Sequence, residues 1–324
     1  MGTRWTPGQI LEVWGDAVSV PVFSRRLRLV RTNDTDRCLD PTLELLDIRR
    51  PRDTHLELPD MPALRWLGLS DAGNVMEFPS FSALTGLSIS NTALPSTLPA
   101  LPALRTLVLS GIAGLQNMAD GSKTGQLVSV KIERCRDLRS LPALGSNLHE
   151  LRIQACPVLA CVRSACHAVT VHVSDCPALT KLPALSRART IRVARCANLQ
   201  EMPFAWCAEA LEIQACHVLH HLPELPKLAV LHIDGADALQ ELPDLPLAGY
   251  VDVRGTPALT HLPASLPAAV VVYLCAAHMP ATPVAKTTVQ LGVSADTPAT
   301  PVTDDYDRHE KLVCSMINSL FEDE

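Results

Sequence analysis

Five cysteines, Cys135, Cys156, Cys176, Cys196 and Cys216, fall 21, 20, 20 and 20 residues apart. Thiols at so regular a spacing can form disulfides, hold a metal or simply pack. Stacked repeats lie about 5 Å apart, so disulfide pairing is sterically open, but five equivalent thiols cannot pair evenly. The expected role is structural: a small buried thiol acting as a weak donor to backbone groups where the chain turns inward. Eleven cysteines, with no apolar signal core between Met1 and Val22, also suit a reducing compartment.

Other reactive side chains give no recognisable catalytic set. Cys207 and Cys314 lack a histidine partner motif, and His217, His220 and His221 lack tight zinc-ligand spacing. No G-x-S-x-G, H-E-x-x-H, phosphate-binding glycine loop or paired-carboxylate motif occurs. The chain is therefore expected not to be an enzyme and to need neither cofactor nor metal. Its formal charge of −6 argues against nucleic acid as a partner. The absence of a stretch of about 18 apolar residues argues against a membrane span.

The elements that position these residues follow from a repeat. Leu228 to Pro246 reads LAVLHIDGADALQELPDLP, and its skeleton recurs with first apolar positions at Leu43, Leu64, Leu84, Leu104, Leu127, Leu148, Ala168, Ala188, Ala208, Leu228 and Ala248. Weaker copies hold Leu27 with Leu29, Val272 with Leu274, and Val289 with Leu291. The first half of each copy, such as Leu151-Arg152-Ile153, alternates apolar and polar, as a strand with one buried face does. Strands this short are stable only when stacked side by side in a parallel sheet. The second half, such as Leu222-Pro223-Glu224-Leu225-Pro226, cannot be a regular helix, because its prolines lack an amide and favour extended geometry. Aromatics are only 4% of the chain, which fits many thin aliphatic layers rather than one deep core.

The repeat L-P-x-L-P-x-L-x-x-L-x-I, clearest at Leu222–Ile233 and Leu242–Val253, resembles the short leucine-rich repeats of effectors that type III secretion systems inject into host cells. The variant at Cys135–Pro142 is also similar to repeats of plant intracellular immune receptors. The resemblance covers residues 24–293. It implies a right-handed curved leucine-rich-repeat solenoid, with strands on the concave side, extended polyproline-like segments on the convex side and short helical caps. It further implies a protein partner, in particular a host protein, with no small-molecule substrate. The chain would reside in the bacterial cytoplasm before export into the host cytoplasm. Residues 294–324 leave no room for the ubiquitin-ligase domain of some such effectors, and no nucleotide-binding motif of the plant receptors is present.

Three segments are expected. Residues 1–23 form an N-terminal helical cap, with Thr6-Pro7-Gly8-Gln9 as a helix start and Ile10, Val13 and Trp14 on one apolar face. Residues 24–293 form the solenoid. Residues 294–324 comprise a Pro/Thr-rich linker and a helix over 304–324, which either caps the solenoid or recruits a partner. The second option would make the chain a substrate-recognition adaptor of a ubiquitin ligase; a third reading is an intracellular bacterial repeat protein with no host role. Met1–Thr6 also matches a loose myristoylation pattern, but Trp5 and Pro7 make it a poor substrate.

Within the solenoid, the outward strand positions are free to vary. The candidate partner-binding residues are Lys131, Arg134, Arg152, His172, Arg192, Arg195, Glu212, His232, Tyr250, Asp252 and Tyr273. They run from a basic centre to acidic and aromatic later copies. The opposing expectation is a solvated face whose charges balance locally, since Glu133, Glu150 and Asp175 lie close in sequence. A second column, Lys181, Glu201, His221, Glu241 and His261, alternates in sign and reads as a surface ladder worth little per pair.

Overall fold

A computed structural model of the chain describes residues 11–14, 26–30, 41–50, 55–119, 126–142, 144–162, 167–260, 262–263, 265–267, 271–274 and 288–289. The expected helix over 304–324, and the start of the expected N-terminal helix, lie outside these residues.

The alternating halves of the repeat form one sixteen-stranded sheet. Its strands are β1 (Leu11–Trp14), β2 (Arg26–Val30), β3 (Leu45–Arg49), β4 (His55–Leu56), β5 (Trp66–Val75), β6 (Gly86–Ala93), β8 (Thr106–Ser110), β10 (Ser129–Glu133), β12 (Glu150–Gln154), β14 (Thr170–Ser174), β15 (Thr190–Ala194), β16 (Ala210–Gln214), β17 (Val230–Asp234), β18 (Tyr250–Arg254), β19 (Val271–Leu274) and β20 (Thr288–Val289). Four two-residue strands, β7 (Thr97–Leu98), β9 (Asn117–Met118), β11 (Ser140–Leu141) and β13 (Cys161–Val162), form a second sheet on the return leg. Single bridges carry this ladder on through Lys181, Glu201 and His221. Every pairing is parallel and neighbours follow sequence order, apart from β4, which pairs β5 off the main path. The molecule is a parallel β-solenoid, and among the described residues it contains no α-helix.

One expectation fails at the N-terminal end. Ile10, Val13 and Trp14 have helical spacing, yet Leu11–Trp14 is strand β1, with Leu11 opposite Leu27 and Val13 opposite Leu29. The sequence LEVW alternates as well as it spirals. The unpaired edge of β2 decides the matter, because a short helix would leave that edge's amides and carbonyls unmet.

Each coil turns at recurring corners. The residue two places after the second inward strand position has positive φ in Arg50, Asp71, Asn91, Gly111, Arg134, Ala155, Asp175, Arg195, Ala215, Gly235 and Gly255. Its amide still donates to the sheet, as from Arg134 N to Gln154 O at 2.8 Å and from Ala215 N to Asp234 O at 2.7 Å, and the chain then turns inward. A tight turn follows, closed by Leu159 N to Cys156 O and its equivalents at Leu179, Leu199 and Leu219. Another precedes the next strand, closed by Ala188 N to Leu185 O, Ala208 N to Ala205 O and Leu228 N to Leu225 O.

All inward positions meet in one core. In a single coil Leu127, Val130, Ile132, Cys135, Leu138, Leu141 and Leu144 are buried. The longest interval, Leu104 to Leu127, leaves the strands in step: Thr106 through Ser110 pair one-to-one with Ser129 through Glu133. The extra residues are absorbed between the strands.

Candidate interaction face

Strand alternation aims positions 131, 152, 172, 192, 212, 232 and 252 away from the core; the side chain of Tyr273 lies outside the described residues. The register then sets Lys131, Arg152, His172, Arg192, Glu212, His232, Asp252 and Tyr273 opposite one another in a single row. Seven such strands at about 4.8 Å spacing make a face about 29 Å long from Lys131 to Asp252.

The basic centre is threaded with acids from neighbouring strands. Lys131 Nζ lies 3.1 Å from Glu150 Oε1. Arg152 Nε sits 3.5 Å from Glu133 Oε1, too long and oblique for a hydrogen bond, while its Nη2 donates to Gln154 Oε1 at 3.4 Å. Arg192 Nε lies 3.0 Å from Glu212 Oε2. Arg134 and Arg195 stand at the positive-φ corner rather than on the strands. Arg134 Nη2 donates to Ser110 Oγ at 3.2 Å, and Arg195 grips Asp175 through two nitrogens, Nη2 at 2.8 Å from Oδ2. The hydrogen bonds and charge of Arg195 hold the Asp175 carboxyl below its ordinary range. His172 faces Arg152 on one side and Arg192 on the other. Burial first, then those two charges, push its pKa down.

The later rungs are not an exposed acidic end. Asp252 is fully buried and His232 is 9% exposed, so neither offers a partner much side-chain surface. They form an internal network instead. His232 Nδ1 is 3.2 Å from Asp252 Oδ2, Arg254 Nε donates to Asp252 Oδ1 at 2.8 Å, and the Tyr250 hydroxyl lies 3.4 Å from Oδ2. Burial acts to raise the Asp252 carboxyl, but the His232 bond and the Arg254 charge together outweigh it, and the net direction is down. Beside this network Ala210, Val230 and the half-buried Tyr250 make a small apolar patch on the outward face.

The five cysteines of the ladder are free and buried. Each directs its thiol to the carbonyl two residues earlier: Cys135 to Glu133 at 3.6 Å, Cys156 to Gln154 at 3.4 Å, Cys176 to Ser174 at 3.2 Å, Cys196 to Ala194 at 3.5 Å and Cys216 to Gln214 at 3.4 Å. Each of these carbonyls also accepts the corner amide of the preceding coil, from Gly111 N to Glu133 O through Arg195 N to Gln214 O, so one oxygen serves two donors. In an earlier coil Thr92 Oγ1 does the same work, donating to Ser90 O at 2.9 Å and accepting from Ala72 N. Burial pushes the Cys196 thiol up to about 12 and raises Cys216 too. Cys156 and Cys176 are raised by the neighbouring thiol on the ladder and by burial, Cys156 to about 12.

The chain matches no family model and no curated protein. What it can do is therefore argued from the geometry alone. Among the described residues no three His, Cys, Asp or Glu side chains stand together as metal ligands. His217 is engaged by Asp237 at 3.0 Å. Lys181 approaches Glu201 at 3.6 Å and His221 approaches Glu241 at 3.9 Å, both pairs exposed on the return leg.

Sequence reasoning missed the flanking column of Gln154, Ser174 and Gln214. Period-2 alternation sends these outward just as it does the middle row, and that was the signal available. It also missed the exposed edge-to-face pair Phe204 and Trp206, whose ring centroids are 6.4 Å apart.

Proposed function

We propose that the chain is a leucine-rich-repeat protein that binds another protein through the outward face of its large sheet. The observation that carries this reading is the in-register, half-buried row from Lys131 to Glu212, with the half-buried Tyr250 beyond it. Paired strands hold half-exposed charges of both signs near a half-buried tyrosine, a composition that suits a polar rim around a small anchor. Repeats specify a scaffold and not a partner. The resemblance to secreted effectors makes a host protein the first partner to seek, with delivery into the host cytoplasm as part of the same proposal.

The test is capture from a eukaryotic lysate by wild type and two folded variants. One carries Lys131→Gln, Arg152→Gln and Tyr250→Ala on the outward face. The other carries Lys181→Gln and Glu201→Gln on the return leg. A partner lost only by the first variant supports the reading. A partner retained by the first and lost by the second overturns it.

A further inference from the structure

On the outward face, spanning β12 to β16, lies a cavity of about 220 Å³. Gln154, His172, Ser174, Arg192, Glu212 and Gln214 contribute to its lining. Its chemistry is dominated by donors: the guanidiniums of Arg192 and of Arg195, the latter held by Asp175, one hydroxyl, two carboxamides and an imidazole. The acceptor-only group, Glu212, is already engaged by Arg192 at 3.0 Å and by Gln214 Nε2, which donates at 2.8 Å.

Ser174 distinguishes this cavity from an idle gap between charged side chains. Its residue is 2% exposed, and its hydroxyl has no partner at hydrogen-bonding geometry. As a loose donor the Ser174 hydroxyl helps to hold the Asp175 carboxyl down, without reaching full hydrogen-bond geometry. The next strand offers only the methyl of Ala194 at the equivalent position. Buried hydroxyls are rarely left unmet, and an unmet one lining a polar cavity marks a place for an incoming group.

We propose that this cavity is a subsite for an oxyanion, carboxylate or phosphoryl, carried on a side chain of a polypeptide lying across the outward face. The proposal rests on the protein-binding reading and specifies what the centre of that face recognises. Arg192 supplies charge and a planar donor edge, Ser174 a buried hydroxyl, and Gln154 and Gln214 amides at either side. At His172 burial acts first against a proton, then the charges of Arg152, Arg192 and Arg195, with Asp175 opposing them as the smallest influence. An entering anion offsets those positive charges.

The test titrates inorganic phosphate, and separately acetate, into the full chain at constant ionic strength while following the His172 ring signals by NMR. Saturable shifts are expected, weakened about tenfold or more in Arg192→Gln and weakened also in Ser174→Ala, which removes only the hydroxyl. Arg49→Gln, far along the sheet, should leave them unchanged. Saturation by phosphate alone narrows the ligand to a phosphoryl group, and saturation by acetate alone narrows it to a carboxylate. Shifts that only grow linearly with either anion, or that are equal in Arg192→Gln, overturn the subsite. If face-dependent partner capture persists while neither anion saturates, only the subsite fails. If anions saturate but capture ignores the face, only the protein-binding reading fails.

Discussion

Replacing Ala215 by glycine should stabilise the protein, because Ala215 holds φ at +48° in a corner where its Cβ is a liability. For a residue with a side chain the left-handed region costs about 1–2 kcal/mol. Glycine removes that strain but loses about 0.5–1 kcal/mol more backbone freedom on folding. The balance is about 0.5–1 kcal/mol of added stability per site, and Ala155, at φ +54°, should behave alike. Ala194→Gly is the control, since Ala194 lies on strand β15; there glycine brings only its entropic cost of about 0.5–1 kcal/mol. The reverse change should hurt in a set order. A Cβ on Gly235 would sit 3.3 Å from Ala215 Cα, and one on Gly255 would sit 2.8 Å from Gly235 N. Gly255→Ala should therefore cost more than Gly235→Ala, each beyond the intrinsic strain of about 1–2 kcal/mol. Urea unfolding followed by circular dichroism gives the midpoints. If Ala215→Gly and Ala155→Gly fall with Ala194→Gly, the corner is not strained and the reasoning is wrong.

Three further outcomes are expected. The thiols of Cys156, Cys196 and Cys216 should resist a disulfide reagent at neutral pH and react on unfolding, since burial and raised pKa values suppress the thiolate; mass spectrometry of native, labelled protein showing modification at any of them would contradict this. Asp252→Ala should cost about 2–3 kcal/mol, below the usual range for breaking a buried pair because Arg254 is 47% exposed and rehydrates; a midpoint shift under about 1 kcal/mol would mean that the network contributes little. His172 is lowered in the folded state, so its contribution is fully present above its unfolded pKa of about 6.5 and declines as pH falls towards the folded value. His172→Gln should flatten stability between neutral and mildly acidic pH, and an unchanged slope would rule that contribution out.

The strands, their order and their inward positions were legible because alternation and a near-constant interval of 20 residues constrain them together. The corner was not, since its occupants are as unlike as Arg50, Asn91, Ala155 and Gly255; it is set by backbone geometry, not by a residue type. β1 was misread because helical spacing and strand alternation coincide over Leu11–Trp14, and only the exposed edge of β2 separates them. On the outward face, the row from Lys131 to Tyr273 could be written down from the repeat. Its charge balance could not, because the acids that meet Lys131 and Arg152 project from the flanking columns of neighbouring strands. Burial of Asp252 was equally hidden: it requires Arg254, Tyr250 and His232 to close over one carboxylate.

Near-identical coils carry a hazard, which is that a coil can dock on the wrong neighbour during assembly with little loss of apolar contact. Sign alternation from Lys181 to Glu241 on the return leg and from Arg192 to Asp252 on the sheet opposes that error. If the coil of Glu212 and His221 were skipped, Arg192 would meet His232 and Glu201 would meet Glu241, in place of the pairings Arg192–Glu212 and Glu201–His221. If the next coil, that of His232 and Glu241, were skipped, Glu212 would meet Asp252. Each pair adds little to the finished structure, yet a slipped one replaces attraction with repulsion or with an unanswered charge. These surface charges act as a proofreading device for the order of the coils, and their value lies in the misassembled states they discourage.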